Sequence, residues 1–390
     1  MTASPIRVAF IGTFPPTACG IATFTESLRD AMVAGGEVTA GVIRLTADPT
    51  PSHPVPADGV VAEWVPGDES SLQAGLTVAS SFDCVILQHE FGIFGGADGE
   101  EAVEFVESCD PPVITVLHTV VPDPTPHQRE LVERIVAASS VSIVQTDSAR
   151  DRLVTRHEID EESLVVIPHG AVANFEGPRR PLLGEGRPTI LTWGLLGPGK
   201  GIEHGIRAIA LMSGRTGVPS DRNHAPPTYV VAGRTHPNIL ATQGEAYRES
   251  LEALAARLGV TDRVVFDDAY RDFPSLRELI RGADLILLPY DSRDQVTSGV
   301  LVEALASARP VVATAFPHAI EALGGGAGIV VPHEDPRAMA AAIDEILGDP
   351  DRHRAMTRAA KAEAASVLWP NVGAAYLALA RKVTPTLAVA

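Results

Sequence analysis

Short apolar runs alternate with amphipathic helical stretches along almost the whole of this 390-residue chain. Most of the runs are apolar at every position, which is typical of parallel strands buried on both faces. Alternating strands and helices predict parallel sheets covered by helices on both sides, so we predict an α/β, doubly wound fold class. The predicted strands are residues 7–11, 38–43, 84–88, 113–117, 141–145, 164–167, 189–193, 229–232, 263–266, 285–288, 310–313 and 328–331.

The alternation falls into two sets, which predicts two Rossmann-like domains. Residues 174–188 lose the periodicity and are rich in Pro, Gly and Arg, as expected for a linker. We predict a first domain at 1–175, a linker at 176–188 and a second domain at 189–369, with a last helix at 370–390 completing the first domain. Two such domains are expected to face each other across a cleft, with ligands beyond the carboxyl ends of the strands.

Charge and cysteine content restrict the partners and the compartment. The chain has 31 Lys and Arg against 49 Asp and Glu, a net charge of −18. Such acidity argues against nucleic acid or an anionic membrane as a partner over a broad face, so phosphates would be bound in a local pocket. No apolar stretch has the length of a transmembrane segment. Three scattered cysteines predict reduced thiols in the cytoplasm and no zinc site.

Three segments join a predicted strand to a predicted helix and are rich in glycine or small polar residues. Residues 12–21 (GTFPPTACGI) enter a helix near Ile21, and Gly20 there lets an anionic ligand approach the backbone. The alternative is a turn that needs glycine for packing. In residues 295–304 (QVTSGVLVEA), Thr297, Ser298 and Gly299 resemble a helix start with free N–H groups.

Residues 194–201 (GLLGPGKG) nearly form a P-loop, but the residue after Lys200 is Gly201 and not Ser or Thr. The hydroxyl group that binds magnesium is therefore missing, and Pro198 removes a backbone donor. This argues against an NTPase. Lys200 is well placed to neutralise a diphosphate, although a solvated surface lysine is the alternative.

Two further positions carry candidate site residues. Glu303 lies one turn into its helix, where a carboxylate can accept hydrogen bonds from the vicinal hydroxyls of a ribose; the alternative is a carboxylate that favours the helix dipole. In residues 88–96 (QHEFGIFGG), polar groups, aromatic rings and glycines suit sugar binding. We predict that His89 and Glu90 contact an acceptor, the alternative being a loop in which Glu90 caps the next helix.

In order along the chain, these motifs resemble the retaining glycosyltransferases of group 1 (family 4), which have the two-Rossmann-domain GT-B architecture. The resemblance also uses His118 at a strand end and the segments 167–170 (IPHG), 283–289 (ADLILLP) and 309–313 (RPVVA). It implies that a nucleotide-sugar donor binds the C-terminal domain and a hydroxyl acceptor the N-terminal one. It also implies transfer with retention of anomeric configuration and without a metal ion or other cofactor.

The resemblance assigns roles residue by residue. Glu303 matches the second glutamate of an E-x7-E motif that holds the donor ribose. Lys200 matches the lysine on the diphosphate, Gly20 the loop glycine near that diphosphate and His118 the histidine near the donor sugar. The remaining donor-binding positions are Gly194, Ser298 and Gly299.

Two positions depart from the family pattern. The first glutamate of the motif is replaced by Gln295, which can bond a sugar hydroxyl but offers no charge. The usual arginine of the glycine-rich turn is replaced by Leu195, and Arg234, at the carboxyl end of another predicted strand of the same domain, is predicted to supply the missing charge. We group His118, Lys200 and Gln295 as catalytic. These departures leave open a phosphorylase or nucleotide-sugar epimerase of the same fold, or a non-catalytic nucleotide-sugar-binding protein.

Overall fold

The computed structural model describes residues 5–17, 19–47, 59–183, 186–213, 226–269 and 271–384. Contacts divide the chain into two units. The first runs from the N-terminus to Gly170 and includes the segment from Trp369 onward, and the second is Ala171–Leu368. The segment 176–188, predicted as a linker, lies within the second unit, and residues 184 and 185 of it lie outside the described residues.

The first unit contains a seven-stranded parallel sheet in the order β3-β2-β1-β4-β5-β6-β7. Its strands are β1 (Ile6–Gly12), β2 (Val38–Leu45), β3 (Val60–Trp64), β4 (Cys84–His89), β5 (Val113–Leu117), β6 (Val141–Val144) and β7 (Leu164–Val166). Its first helices are α1 (Gly20–Val33), α2 (Glu69–Ala79), α3 (Glu101–Ser108), α4 (Pro126–Ala138) and α5 (Asp147–Arg156).

The second unit contains a six-stranded parallel sheet in the order β10-β9-β8-β11-β12-β13. Its strands are β8 (Thr189–Trp193), β9 (Thr228–Ala232), β10 (Val264–Asp267), β11 (Leu285–Leu288), β12 (Val311–Thr314) and β13 (Gly328–Val331). Its helices are α6 (Ile202–Ser213), α7 (Pro237–Gln243), α8 (Ala246–Arg257), α9 (Phe273–Gly282), α10 (Gly299–Ala306), α11 (Pro317–Leu323), α12 (Pro336–Leu347) and α13 (Pro350–Val367).

Both sheets have apolar cores on each face, because alternate residues of a strand point to opposite sides. In β11, Leu285 and Leu287 pack with α6 and α12 residues, whereas Ile286 and Leu288 pack with α10 residues. The predicted fold class is confirmed. All twelve predicted strands are present, and β3 is an additional one. It was missed because exposed positions alternate with partly buried ones along most of its length, in contrast to the continuous runs of the other strands.

Helix starts follow from local sequence. Asp335 and Asp349 are N-caps whose carboxylates accept hydrogen bonds from first-turn amides, and each is followed by a proline at the first helical position. Thr125 and Gln128 form a reciprocal capping box at the start of α4. These caps satisfy amides that lack a partner within the helix, so they fix where the helices begin.

The last helix, α14 (Trp369–Val383), belongs to the first unit. Its Gly373 lies so close to α1 that an added Cβ atom would be 2.8 Å from the Cβ of Ala31. Arg381 at its end forms an ion pair with Glu37. A backbone approach this close requires a residue without a side chain at position 373.

Strand order reverses beside the first strand of each sheet, between β1 and β4 and between β8 and β11. In open parallel sheets, ligands bind at such switch points, beyond the carboxyl ends of the strands. The loops that follow these four strands are therefore where a site is expected. No helix in the described part of the chain is both long and apolar enough to span a bilayer.

Candidate functional site

The turn after β8 carries Lys200 at the switch point of the second sheet. Gly194, Gly199 and Gly201 in this turn have φ angles of 120°, 87° and 60°, which favour glycine. The half-buried Lys200 places its Nζ atom 4.7 Å from the centre of the Tyr290 ring. Burial lowers the pKa of Lys200. The turn therefore presents one cation, held against an aromatic face, beside the loop that follows β11.

Gly201 fixes this turn against the loop after β11. A Cβ atom at position 201 would lie 1.8 Å from the carbonyl oxygen of Pro289. Next to it, the N–H of Asp291 donates to the carbonyl oxygen of Gly199 at 3.0 Å. Glycine at 201 is therefore a steric requirement, and it holds Lys200 in register with the second loop.

The second loop leads to the N-terminus of α10. Ser298 is its N-cap, and the Ser298 hydroxyl accepts a hydrogen bond from the N–H of Leu301 at 3.3 Å. The N–H of Ser298 itself donates to His318 Nδ1 at 2.8 Å. Gly299 begins the helix, so its first-turn amide is available to an anion. The predicted helix start is present, and His318 is a residue that sequence reasoning missed.

Glu303 is the third element of this site. Its carboxyl group is half-buried, and burial raises its pKa to about 7, an effect that a hydrogen bond with Trp193 partly opposes. It lines a small cavity with polar and apolar neighbours. The other lining residues are Val172, Asn174, Phe273, Leu276, Arg277, Ile280 and Ser307. Removing a carboxylate from water, even in part, costs free energy unless the carboxylate binds a partner.

Gln295 lies on the same loop with its side chain turned onto the loop itself. Its Nε2 atom donates to the carbonyl oxygen of Thr297 at 3.0 Å. The main-chain carbonyl oxygen of Gln295 accepts a hydrogen bond from the N–H of His318. The amide therefore stabilises the loop that precedes Ser298.

Leu195 and Arg234 lie side by side. The N–H of Leu196 donates to the carbonyl oxygen of Arg234 at 2.8 Å, and Leu196 pairs in parallel with Thr235. This register puts Leu195 next to Arg234 on adjacent strand extensions. Both side chains are exposed, and the guanidinium Nε of Arg234 lies 3.4 Å from the carbonyl oxygen of Asp268.

In the first unit, His118 lies at the carboxyl end of β5 between two glutamines. Its Nε2 donates to Gln88 Oε1 at 2.7 Å, and Gln145 Nε2 donates to its Nδ1 at 3.4 Å. Phe24 of α1 meets the His118 ring edge-on, with ring centres 4.9 Å apart. Burial lowers the pKa of His118 to about 3, so the ring is neutral at physiological pH.

The loop after β1 ends at Gly20, the first residue of α1. Cys19 is the N-cap, and its Sγ atom accepts from the N–H of Ala22 at 3.4 Å and lies 3.1 Å from Thr13 Oγ1. Gly20 is exposed, and an added Cβ atom would contact nothing. Packing therefore does not require glycine at position 20, in contrast to Gly201.

His89 and Glu90 differ in accessibility. His89 is fully buried beside Phe91 and Phe94, and neither ring nitrogen has a hydrogen-bond partner among the described residues. Glu90 is half-buried, and its carboxylate accepts bonds from the N–H of Phe91 at 3.1 Å and from the hydroxyl of Thr119. In this structure only Glu90 offers a surface to a ligand.

One group in the second unit has the composition of a metal site. Ligand atoms of Glu203, His204 and Asp291 lie within 4.8 Å of one another. His204 Nε2 lies 3.3 Å from Asp291 Oδ1, and Glu203 accepts a hydrogen bond from Tyr247. Asp291 Oδ1 is buried and has no hydrogen-bond partner among the described residues.

Part of the chain is similar in sequence to a family model. Residues 187–349 match the model of the family described as glycosyl transferases group 1. D-inositol 3-phosphate glycosyltransferase of Nocardia farcinica is 29% identical over 263 residues, 65% of this chain and 55% of that protein. Alpha-D-kanosaminyltransferase of Streptomyces kanamyceticus is 28% identical over 266 residues, 64% and 62% of the two chains. The chain thus spans about half the length of the first of these curated relatives.

Solved structures share the fold. The Anabaena protein Alr3699/HepE in complex with UDP has a TM-score of 0.73 at 16% identity, covering 97% of this chain and all of that chain. A glycosyltransferase from Rickettsia africae has a TM-score of 0.76 at 14% identity, covering 99% of this chain and all of that one. The predicted resemblance to group 1 glycosyltransferases and the predicted fold class are confirmed.

Proposed function

We propose that this protein transfers a sugar from a nucleoside diphosphate to a hydroxyl acceptor, on the premise that residues 187–349 match the family described as glycosyl transferases group 1. Transfer retains the anomeric configuration and needs no metal ion or other cofactor. The observation that carries the proposal is the Tyr290 side chain at the switch point of the second sheet, which contacts Lys200 through its ring, is hydrogen-bonded to Ser298 at the α10 N-terminus and interacts electrostatically with Glu303.

These groups suit the charge changes of the reaction. Departure of the nucleoside diphosphate leaves negative charge on the phosphate oxygen, and preorganised donors are most effective where such charge develops. Lys200 and the first-turn amide of Gly299 supply those donors, and Glu303 accepts hydrogen bonds from the donor ribose. The glycine-rich turn from Gly194 to Gly201 positions Lys200, and the hydrogen bond from the N–H of Ser298 to His318 positions the start of α10.

Retention follows from attack on the same face as the leaving group. The acceptor O–H bond breaks, a bond from its oxygen to the anomeric carbon forms, and the bond from that carbon to the phosphate breaks. The leaving phosphate takes the electron pair and the acceptor proton. Gln295 is neutral and cannot act as a nucleophile, so we assign it a hydrogen bond to a sugar hydroxyl.

Arg234 is proposed to replace the cation lost at Leu195, because the two residues are neighbours in register. We expect Arg234→Ala to weaken nucleoside diphosphate binding about 10-fold, the loss of one charge-assisted contact. Adding Leu195→Arg to that variant should restore most of the affinity, since the charge returns one strand away. Titration calorimetry checks both; an Arg234→Ala affinity equal to that of the parent protein contradicts the assignment.

The first unit is proposed to receive the acceptor. Glu90 offers a carboxylate to acceptor hydroxyls, with His89 buried beneath it in support of the loop. Gly20 leaves open space at the start of α1, which suits close approach of the diphosphate, and His118 contacts the donor sugar. We propose no nucleic acid partner, because the net charge is −18.

The test is a turnover assay in the presence of EDTA. UDP-sugars come first, because Alr3699/HepE has been solved with UDP-glucose; other nucleotide sugars and a panel of hydroxyl acceptors follow. We expect nucleoside diphosphate release that depends on the acceptor and a product of unchanged anomeric configuration. Sugar 1-phosphate formation with inorganic phosphate would indicate a phosphorylase, and binding without turnover a non-catalytic protein; either result would overturn the proposal.

A further inference from the structure

Three polar side chains meet at the carboxyl edge of the first sheet. Gln88 lies in β4, His118 directly follows β5 and Gln145 directly follows β6. Both glutamines are almost completely buried, with exposures of 0% and 2%. Parallel register brings them to either side of the imidazole ring, at 2.7 Å from Nε2 and 3.4 Å from Nδ1.

The two amides have opposite roles toward the ring. Gln88 presents its carbonyl oxygen and therefore needs a proton on His118 Nε2. Gln145 presents its NH2 group and therefore needs a lone pair on Nδ1. A neutral imidazole protonated on Nε2 satisfies both contacts. An imidazolium ion carries N–H groups at both positions, and its Nδ1–H would point at another donor.

The other groups around the ring also favour the neutral form. Phe24 from α1 contacts the ring with its edge, and His169, which follows β7, lies against the same phenyl ring at 5.0 Å. The main-chain carbonyl oxygen of His89, in β4, accepts a hydrogen bond from the main-chain N–H of His118. Burial lowers the pKa values of His89 and His169 to about 4, so neither titratable neighbour is charged at neutral pH.

We propose that Gln88 and Gln145 are positioning residues that lock His118 as the neutral Nε2–H tautomer, so that it orients the transferred sugar without exchanging a proton. This inference rests on the proposed function for the role of His118 in the reaction. It accounts for a reaction in which the acceptor proton passes to the leaving phosphate, because the histidine nearest the sugar is unable to take it.

The first experiment is 15N NMR spectroscopy of the histidine rings in the full-length protein, with the His118 signals identified by their loss in His118→Gln. We expect a ring protonated on Nε2 at pH 7, with no titration between pH 5 and pH 9. A ring protonated on Nδ1 or a charged ring at pH 7 would overturn the proposal.

The second experiment changes the acceptor of the Nε2–H bond. Gln88→Glu keeps an oxygen at this place and adds a negative charge that stabilises the imidazolium ion. We expect the pKa of His118 to rise by more than two units, so that the ring titrates above pH 5, and the rate of transfer to fall at pH values below that pKa, where the ring is charged. Gln73→Glu, on the exposed face of α2, adds the same charge and should change neither quantity.

An unchanged pKa of His118 in a folded Gln88→Glu protein would contradict the positioning role. If that variant does not fold, the parent spectrum decides the question alone. Both spectroscopic readouts work without turnover. A protein that transfers no sugar would therefore refute the proposed function and leave the tautomer result standing, so the two failures are distinguishable.

Discussion

Glu303 has a carboxyl group whose ionisation is opposed by the fold. Burial raises its pKa to about 7 from an ordinary value of 4.5, so the folded chain binds this proton more tightly than the unfolded chain does. Its contribution to stability is therefore fully present below pH 4.5 and is lost as the pH rises through 7.

Replacement by a neutral residue removes this pH dependence. Relative to the parent protein, Glu303→Gln should gain roughly 1–3 kcal/mol in free energy of unfolding between pH 5 and pH 8, measured by urea denaturation. The control is Glu252→Gln, which removes an exposed carboxylate of α8 and should give a flat difference. A flat difference for Glu303→Gln as well would show that this carboxylate is not desolvated.

At this scale the sequence predicts residues whose role follows from local pattern. Lys200 and Ser298 were identifiable because each lies in a glycine-rich turn or a helix start, and the structure has them in such places. His318 and Gln145 were not identifiable, because their partners lie 20 and 27 positions away in the chain. Such contacts depend on how elements pack, which periodicity does not encode.

The element that most constrains the second sheet's switch point is the turn from Gly194 to Gly201. Gly201→Ala should lower the free energy of unfolding by about 3 kcal/mol or more, because its Cβ atom would overlap the Pro289 carbonyl oxygen. Gly199→Ala is the matched control: it also has a positive φ, but its Cβ atom would meet open space. We expect about 1–2 kcal/mol there.

Thermal or urea unfolding of the two variants checks this comparison. Equal losses of unfolding free energy in the two variants would mean that the positive φ angle alone explains the glycine at 201. The loop at Pro289 would then move aside at little cost. A larger loss for Gly201→Ala than for Gly199→Ala would show that the turn is held by its contact with the loop at Pro289, and not only by its positive φ angles.

Among elements, the strands were predictable and the helix contacts were not. Continuous apolar runs predicted β8 and β11 because both faces of a doubly wound sheet are covered. β3 was not predicted because it is an edge strand in which exposed positions alternate with partly buried ones, so it lacks a continuous apolar run. The sequence linked Leu195 and Arg234 only because an arginine is missing at the first position and one is present at the second. That the two residues are adjacent depends on the register of the extensions of β8 and β9.

At the scale of the whole molecule, the chain returns to its first unit through α14. Gly373→Ala should lower the stability of that unit by about 1–3 kcal/mol, although alanine favours helices over glycine, because the added methyl group would meet Ala31 at 2.8 Å. The matched control is Gly75→Ala in α2. Its added Cβ atom would lie 3.7 Å from Ile43, an ordinary contact, so stability should rise.

Hydrogen exchange measures the two units separately in these variants. We expect faster exchange in α1 and β1 of Gly373→Ala and unchanged exchange in β8 and β11. A uniform increase over both units, or none in α1, would be inconsistent with the packing of α14 on α1. From the sequence, the packing of α14 on the first unit was only an expectation, because the residue pattern of a helix does not specify which distant surface the helix packs against.

The central claim is that the second unit binds a nucleoside diphosphate through Lys200. Calorimetric titration of UDP into the parent protein, Lys200→Ala and Lys361→Ala tests it most directly. Lys361 also lies over an aromatic ring, that of Phe175 at 4.4 Å, so its removal is a matched loss of charge and ring contact elsewhere in the same unit. We predict that Lys200→Ala weakens binding about 10- to 100-fold and that Lys361→Ala leaves it unchanged. Equal affinities for all three proteins would contradict the claim.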